Sequence, residues 1–307
     1  WSDLKTFRGE RFKYIQAPKP ELYDLRADPA ETKNLVSEAK DTAERLRRQL
    51  AVLERHQPRV TGRPSDPVLA ERLMSLGYIG YSPAVANASG TALSDPKDKL
   101  EVYSLTMTAL ELSESGQKEA ALEKLRRAEK LDPQVAQVHY LKGLILGDQG
   151  KFREAAAALE RVVALSPRHV AARFKLALAH LRLGRHDRAE RALETVLQDE
   201  PQNFRAYHNL AAVAYARGDL RRAEELERRA LSIDASYFEA WNTLGAIYVV
   251  TKQPDAAIDA LRRATSLNPQ SAQAFYNLAL AFGAAGRREE AAGARATACS
   301  LDKRYCS

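Results

Sequence analysis

From about residue 102 onward, small, large and turn-forming residues return along the chain every 34 positions. Stepping by 34 from Ala121 gives Ala155, Ala189, Ala223, Ala257 and Ala291, and a second small-residue column runs Ala109, Gly143, Ala177, Ala211, Gly245, Ala279. Two helices approach closely only where neither presents a large side chain, so paired small columns predict helical hairpins that touch at those points. Between them Gly116, Gly150, Gly184, Gly218 and Gly286 mark where each first helix ends in a left-handed backbone conformation, and Lys252 breaks the column. Pro133, Pro167, Pro201, Ala235, Pro269 and Lys303 close the units, where proline can start the next helix but cannot continue the last. Leucines fill the complementary columns: Leu125, Leu159, Leu193 and Leu261 in the second helices, and Leu176, Leu210, Leu244 and Leu278 in the first. Lys142 and Glu227 depart from these columns, while every other column stays in phase through them.

This pattern resembles a tetratricopeptide repeat array over about two thirds of the chain. Trp241, Leu244, Gly245, Tyr248, Ala257 and Pro269 reproduce the family pattern in one unit, as do Tyr207, Leu210, Ala223 and Ala230 in the unit before. The resemblance implies a mainly α fold, a right-handed α-solenoid of six helix-turn-helix units at about 102–135, 136–169, 170–203, 204–237, 238–271 and 272–305, within a domain spanning 97–307. It further implies a concave groove that binds a protein or peptide, with Thr106, Tyr140, Phe174, His208, Asn242 and Tyr276 facing inward. Asn209 and Asn277 would hydrogen-bond the backbone of an extended peptide. One turn on, Leu110, Leu144, Leu178, Ala212, Ala246 and Leu280 would make the wall apolar. The Lys, Arg and Asn pattern with which family members grip a chaperone's C-terminal carboxylate is not matched.

A competing reading stands beside this one. Aromatics at helical spacing pack against a neighbouring unit as readily as they meet a ligand, which applies to Tyr140, Phe174 and Tyr276. His208 has no second His, Cys or carboxylate recurring with it at ligand spacing, and His56, His139, His169, His180 and His186 are equally unsupported as chemistry.

The first hundred residues follow a different period. Lys5 to Arg8, a Gly9-Glu10 turn, Arg11 to Gln16 and Glu21 to Leu25 predict a hairpin and a third strand, and Glu38 to His56 an amphipathic helix with Leu46, Leu50 and Leu53 on one face. The runs Arg11-Phe12-Lys13-Tyr14-Ile15 and Glu21-Leu22-Tyr23-Asp24-Leu25, followed by Asp28-Pro29, Glu31 and Asn34-Leu35, resemble the C-terminal end of the type I sulfatases. That resemblance implies that residues 1–57 are strands and a helix of scaffold belonging to a larger sulfatase-like protein, whose hydrolase chemistry would lie upstream and leave this chain as its appendage. It also makes a periplasmic or secreted location an expectation. The Cys-x-Pro-x-Arg motif that such chemistry requires is missing, since no Cys precedes Cys299, so no catalytic residue is assigned and the chain is expected to have no hydrolase activity of its own. Asp24, Asp28 and Asp41 read as turn and capping residues rather than metal ligands, and no metal or other cofactor is called for.

Residues 58–96 read as a linker: Pro58 to Asp66 a Pro/Arg-rich connector, Ala70 to Gly77 a short helix leading into Tyr78-Ile79-Gly80-Tyr81, and Ser82 to Asp95 a Ser, Ala, Gly and Pro-rich tether. With 45% hydrophobic and 28% charged residues the composition is that of a globular protein, and charges interrupt every apolar run short of a transmembrane span. The sequence opens on Trp1 without a leader, the pattern expected when the natural N-terminus lies further upstream. Cys299 and Cys306 form no cysteine framework, and the simplest expectation is one small buried residue and one loose tail thiol. The net charge of +7 raises an anionic polymer or nucleic acid as an alternative partner, but arginines such as Arg221, Arg222, Arg228 and Arg229 sit beside acids at i,i+4 spacing, and no nucleic-acid module is present.

Overall fold

The computed structural model describes residues 4–56 and 99–306. The chain divides into two compact units, Trp1–Val138 and His139–Ser307. The expectations for Pro58 to Asp66, Ala70 to Gly77 and Ser82 to Asp95 lie outside the described residues.

In the first unit β1 (Lys5–Arg8), β2 (Phe12–Gln16) and β3 (Glu21–Asp24) form an antiparallel sheet in that order. Strand alternation sends Tyr14 and its cross-strand partner Leu22 to the same face. There they meet Ala43, Leu46 and Leu50 of α1 (Lys40–His56), one turn apart along the helix, in a core separate from the hairpins. Leu53, expected on that face, is exposed, because the apolar patch of so small a sheet is already covered by the preceding two turns. The aspartates act as turn residues. Asp24 accepts hydrogen bonds from Arg11 Nε (2.9 Å) and from the backbone N–H of Arg26 (3.1 Å), and Asp28 accepts from the Lys33 N–H (2.8 Å). The Arg11 guanidinium holds the Asp24 carboxyl below the usual range. Asn34 Oδ1 accepts from both Leu22 N–H and Val36 N–H (each 3.0 Å), tying the segment after the turn back to β3.

A helical hairpin, α2 (Leu100–Glu114) and α3 (Lys118–Leu131), completes the described part of this unit. Val102, Leu105 and Ala109 are buried in the one helix and Ala121, Leu122 and Leu125 in the other.

The helix α4 (Ala136–Asp148) carries the chain into the second unit, followed by α5 (Phe152–Leu165), α6 (Val170–Arg182), α7 (His186–Asp199), α8 (Phe204–Ala216), α9 (Leu220–Ile233), α10 (Phe238–Val250), α11 (Pro254–Leu267), α12 (Ala272–Ala284) and α13 (Arg288–Leu301). Odd and even neighbours pair as hairpins, and first helices also touch in succession, α6 with α8, α8 with α10 and α10 with α12. The small columns are where hairpins close. Ala155, Ala189, Ala223 and Ala257 are buried, and a Cβ added to Gly143 would lie 2.7 Å from Leu159 Cγ. At Gly245 the approach to Leu261 Cγ is closer still.

The turn column holds at all six positions. Its five glycines have φ between 67° and 81°, and Lys252, where the sequence pattern breaks, adopts the same left-handed conformation at φ 57°. The same backbone hydrogen bonds close the turn there, Lys252 N–H to the Val249 carbonyl (3.2 Å) and Gln253 N–H to the Tyr248 carbonyl (2.8 Å), and a Cβ in that conformation costs about 1 kcal/mol. The substitution Lys252→Gly is therefore expected to stabilise the array by roughly that amount in urea unfolding.

The prolines do not start the following helices. They sit in a two-residue turn, and the next helix begins three positions later. A preceding residue organises that turn: Asp132, Asp234 and Asn268 each accept at Oδ1 the N–H two residues on, at 2.9, 2.9 and 3.1 Å. The N-terminal positions of the first helices are then capped by His169, Asn203 and Ser271, whose side chains accept from the N–H three residues later.

Cys299 and Cys306 form a disulfide, correcting the expectation of a loose thiol. A short 3-10 turn, Lys303–Tyr305, brings the tail back toward the end of α13, and Asp302 accepts from the Arg304 N–H (2.9 Å) as its counterparts do in the other units.

Candidate functional site

Apart from Thr106, the side chains nominated for a groove lie on the first helices of the second unit, and most already have neighbours. Tyr140 is buried and its ring sits 4.7 Å from His169, the cap of the next first helix. The same relation recurs two and four units on, His208 with Tyr237 at 5.2 Å and Tyr276 with Tyr305 at 5.1 Å. Each pair is 29 residues apart, so a ring on one first helix rests on the residue that precedes the next. The last of these pairs uses the disulfide-closed tail, where Tyr305 holds the register position of His169 and Tyr237. Phe174 packs, partly buried, against Ala177, Leu193, Val196 and Leu210. These aromatics thus serve the joints between units, the packing alternative that helical spacing left open.

The nominated amides are also engaged. Asn209 Nδ2 donates to the Arg205 carbonyl of its own helix (2.7 Å), and Asn277 Nδ2 donates to Asn242 Oδ1 in the preceding unit (3.0 Å). Asn242 Nδ2 and Asn277 Oδ1 make no hydrogen bond within the described residues, so this pair still offers one donor and one acceptor. Thr106, in the first unit, is buried and its hydroxyl donates to the Val102 carbonyl (2.6 Å), which takes it out of consideration.

The apolar column one turn further on behaves differently. Leu144, Leu178, Ala212 and Ala246 are half-buried and Leu280 is exposed, on helices where Leu141, Leu146, Leu176, Leu210, Leu244 and Leu278 are buried. Leu110 is likewise half-buried on its own hairpin.

The sequence reading missed one feature of this face. Glu227, which occupies a leucine position of the second helices, has no exposed surface, and its carboxylate oxygens lie 2.9 and 3.2 Å from His208 Nδ1. His208 does have a carboxylate partner, nineteen residues away across the hairpin. Linear spacing hides it because α8 and α9 are antiparallel, so facing residues have no fixed separation in sequence. Burial pushes the Glu227 carboxyl up to about 7, with His208 acting against that rise. A signal was available in the broken leucine column: a carboxylate at a buried position needs a donor, and the half-buried His208 is the polar residue on the facing helix that can supply one.

His169 and His180 sit on α6 or at its head in structural roles. Burial lowers the pKa of His169, whose Nδ1 accepts the Ala172 N–H, and also that of His180. Among the described residues no three His, Cys, Asp or Glu side chains group as a metal site would require. Several arginines pair between hairpins, Arg217 with Asp187 and Glu190 (each 2.5 Å), Arg222 with Glu190 (2.7 Å) and Arg262 with Glu290 (3.5 Å), while Arg228 pairs with Glu224 at i,i+4.

Comparison with known proteins agrees with this architecture. A tetratricopeptide repeat model matches residues 148–213 and 214–279, and a model described as anaphase-promoting complex, cyclosome, subunit 3 matches residues 80–162. Among solved structures, PilW, a widely conserved type IV pilus biogenesis factor, is 16% identical, with 66% of this chain and 93% of that one covered at a TM-score of 0.59. The pilF protein of Pseudomonas aeruginosa is 16% identical over 67% and 94% at 0.58. MamA of Desulfovibrio magneticus RS-1 is 20% identical over 56% and 97% at 0.53. At such identities the likeness speaks for the fold, an α-solenoid of tetratricopeptide units. No curated protein matches the sequence.

Proposed function

We propose that this tetratricopeptide array is a protein-interaction scaffold, holding a peptide or protein segment along the exposed face of its first helices. The observation that carries this reading is the column Leu144, Leu178, Ala212, Ala246 and Leu280, left partly uncovered while the leucine column Leu176, Leu210, Leu244 and Leu278 on the same helices is buried. A repeated apolar stripe flanked by amide and imidazole groups suits a segment with regularly placed apolar side chains. Tyr140, Phe174 and Tyr276 would shape that face from beneath, and His208, Asn209, Asn242 and Asn277 would supply its polar points.

The test uses the stripe and leaves the joints intact. Leu144→Lys, Leu178→Lys and Leu280→Lys combined should lower capture of partner proteins from the source cell at least tenfold. Long side chains can carry their charge outward, so unfolding should move by no more than about 0.5 kcal/mol per site. Capture at the wild-type level would reject the face.

The finer reading is that the array, domain 97–307, forms the C-terminal part of a larger sulfatase-like protein, joined through a linker at 58–96 to a remnant at 1–57. The three-stranded sheet, its Asp24 and Asp28 turns and the Asn34 anchor support it as a scaffold element with a defined structure. The Cys299–Cys306 disulfide supports a compartment outside the cytoplasm, since such bonds persist where thiols are oxidised. The coding region upstream of Trp1 decides the matter: a Cys-x-Pro-x-Arg or Ser-x-Pro-x-Arg motif is expected there, and its absence would remove the sulfatase context while leaving the scaffold.

A further inference from the structure

The geometry of His208 and Glu227 points to a proton-operated polar contact on the binding face: one proton added to the pair turns the outward ring atom, His208 Nε2, from a hydrogen-bond acceptor into a donor. This rests on the reading of that face as the binding surface, and it concerns how the surface is regulated.

The contacts fix the logic. His208 Nδ1 lies against both oxygens of Glu227, which is possible only with a proton between them, since two lone pairs at 2.9 Å repel. Nε2 makes no hydrogen bond among the described residues and is not enclosed, the side chain being 18% exposed. When the pair holds a single proton, that proton sits on Nδ1 and faces the carboxylate, so Nε2 presents a bare lone pair. When the pair holds two, either the ring is imidazolium or the carboxyl donates to Nδ1. In both arrangements Nε2 carries N–H and faces outward, so the outcome does not depend on how the pair shares its protons.

The surroundings set the direction. The residues of α6 and α7 that pack on this hairpin, Phe174, Ala177, Leu193, Val196 and Leu197, carry no charge, and Arg173 of α6 is paired with Asp199 of α7. From the head of α10, Tyr237 lies edge-on to the imidazole, and the charges acting on that tyrosine are Glu239, Arg205, Glu227 and Asp234. On α9 itself Glu224 is tied to Arg228 and to the Tyr248 hydroxyl, away from the pair. Among the described residues no cation other than His208 pairs with Glu227. A singly protonated pair would leave a net negative charge on Glu227, which has no exposed surface, and burial opposes that state. The second proton is therefore held in acid and lost as pH rises through neutrality. Below that point the face offers N–H to an acceptor such as an amide carbonyl of the bound segment; above it, the same atom accepts from a donor.

Nitrogen-detected NMR of the ring in the full chain, from pH 5 to pH 9, tests this without any ligand. Both ring nitrogens should be protonated at the acid end, and a single step should remove the proton from Nε2 alone. In Glu227→Gln the ring no longer shares its proton with a carboxylate, so the step should move. An Nε2–H tautomer persisting at pH 9, or an unmoved step in Glu227→Gln, would overturn the inference. Failure of the leucine-stripe test would remove the binding face and leave this titration as it is, so the two ideas fail separately.

Discussion

Leu261→Ala should lower the stability of the array by about 3–5 kcal/mol, seen as a shift of the urea midpoint. Leu261 has no exposed surface, and its branch point faces Gly245, where no side chain stands ready to fill the space. Its counterpart Leu193 belongs to a hairpin with Ala177 in the equivalent position, so the corresponding loss there should fall nearer about 2–3 kcal/mol. A second substitution reverses sign with its background. Gly245→Ala in the wild type drives a Cβ into Leu261 Cγ and should destabilise by about 1–3 kcal/mol. In Leu261→Ala the same methyl enters vacant space and adds helix propensity, so it should recover about 1 kcal/mol. Equal effects in both backgrounds would mean that the small columns are not contact points.

Removing His208 should have a comparable effect, and one that depends on pH. His208→Ala leaves Glu227 buried without its partner, a loss of about 3–5 kcal/mol at pH 8. At pH 5.5 the carboxyl keeps its proton and the loss should be much smaller. The sign follows from the pKa. Glu227 is raised from 4.5 to about 7 in the folded chain, so between those values the folded state holds a proton that the unfolded state has released. Stability is thus greatest below about 4.5 as far as this group is concerned, and falls by about 3 kcal/mol as pH rises to 7. The double change His208→Phe with Glu227→Leu restores the Phe174 and Leu193 combination of the preceding unit. It should abolish that pH dependence and stabilise the array by about 1–4 kcal/mol at pH 8. A double variant less stable than the wild type at pH 8 would show that the pair contributes more than it costs.

Much of the fold is legible in the sequence because a repeated array writes the same packing problem six times. Ala223 alone says little, whereas five alanines in phase with it mark a contact, and the structure buries all of the column but the partly buried Ala291 where helices close. The three strands and α1 are legible for a simpler reason: the alternation around Tyr14 and Leu22 and the helical spacing of Leu46 and Leu50 are local patterns. The groove residues were only half legible. Their place on the first helices follows from the period, but Tyr140, His208 and Tyr276 rest on residues 29 positions later, in another unit, and that contact exists only once the units stack.

The sequence by itself determined the unit length, the hairpins, the small-residue joints and the separate strand segment, since each depends on side-chain size and spacing along one chain. Tertiary structure decided which polar groups meet: Glu227 with His208, Asn277 with Asn242, Arg217 with Glu190, and Cys299 with Cys306. Hydrogen bonds and ion pairs form over a few ångström between atoms whose separation along the chain carries no period, so only the folded backbone brings them within reach.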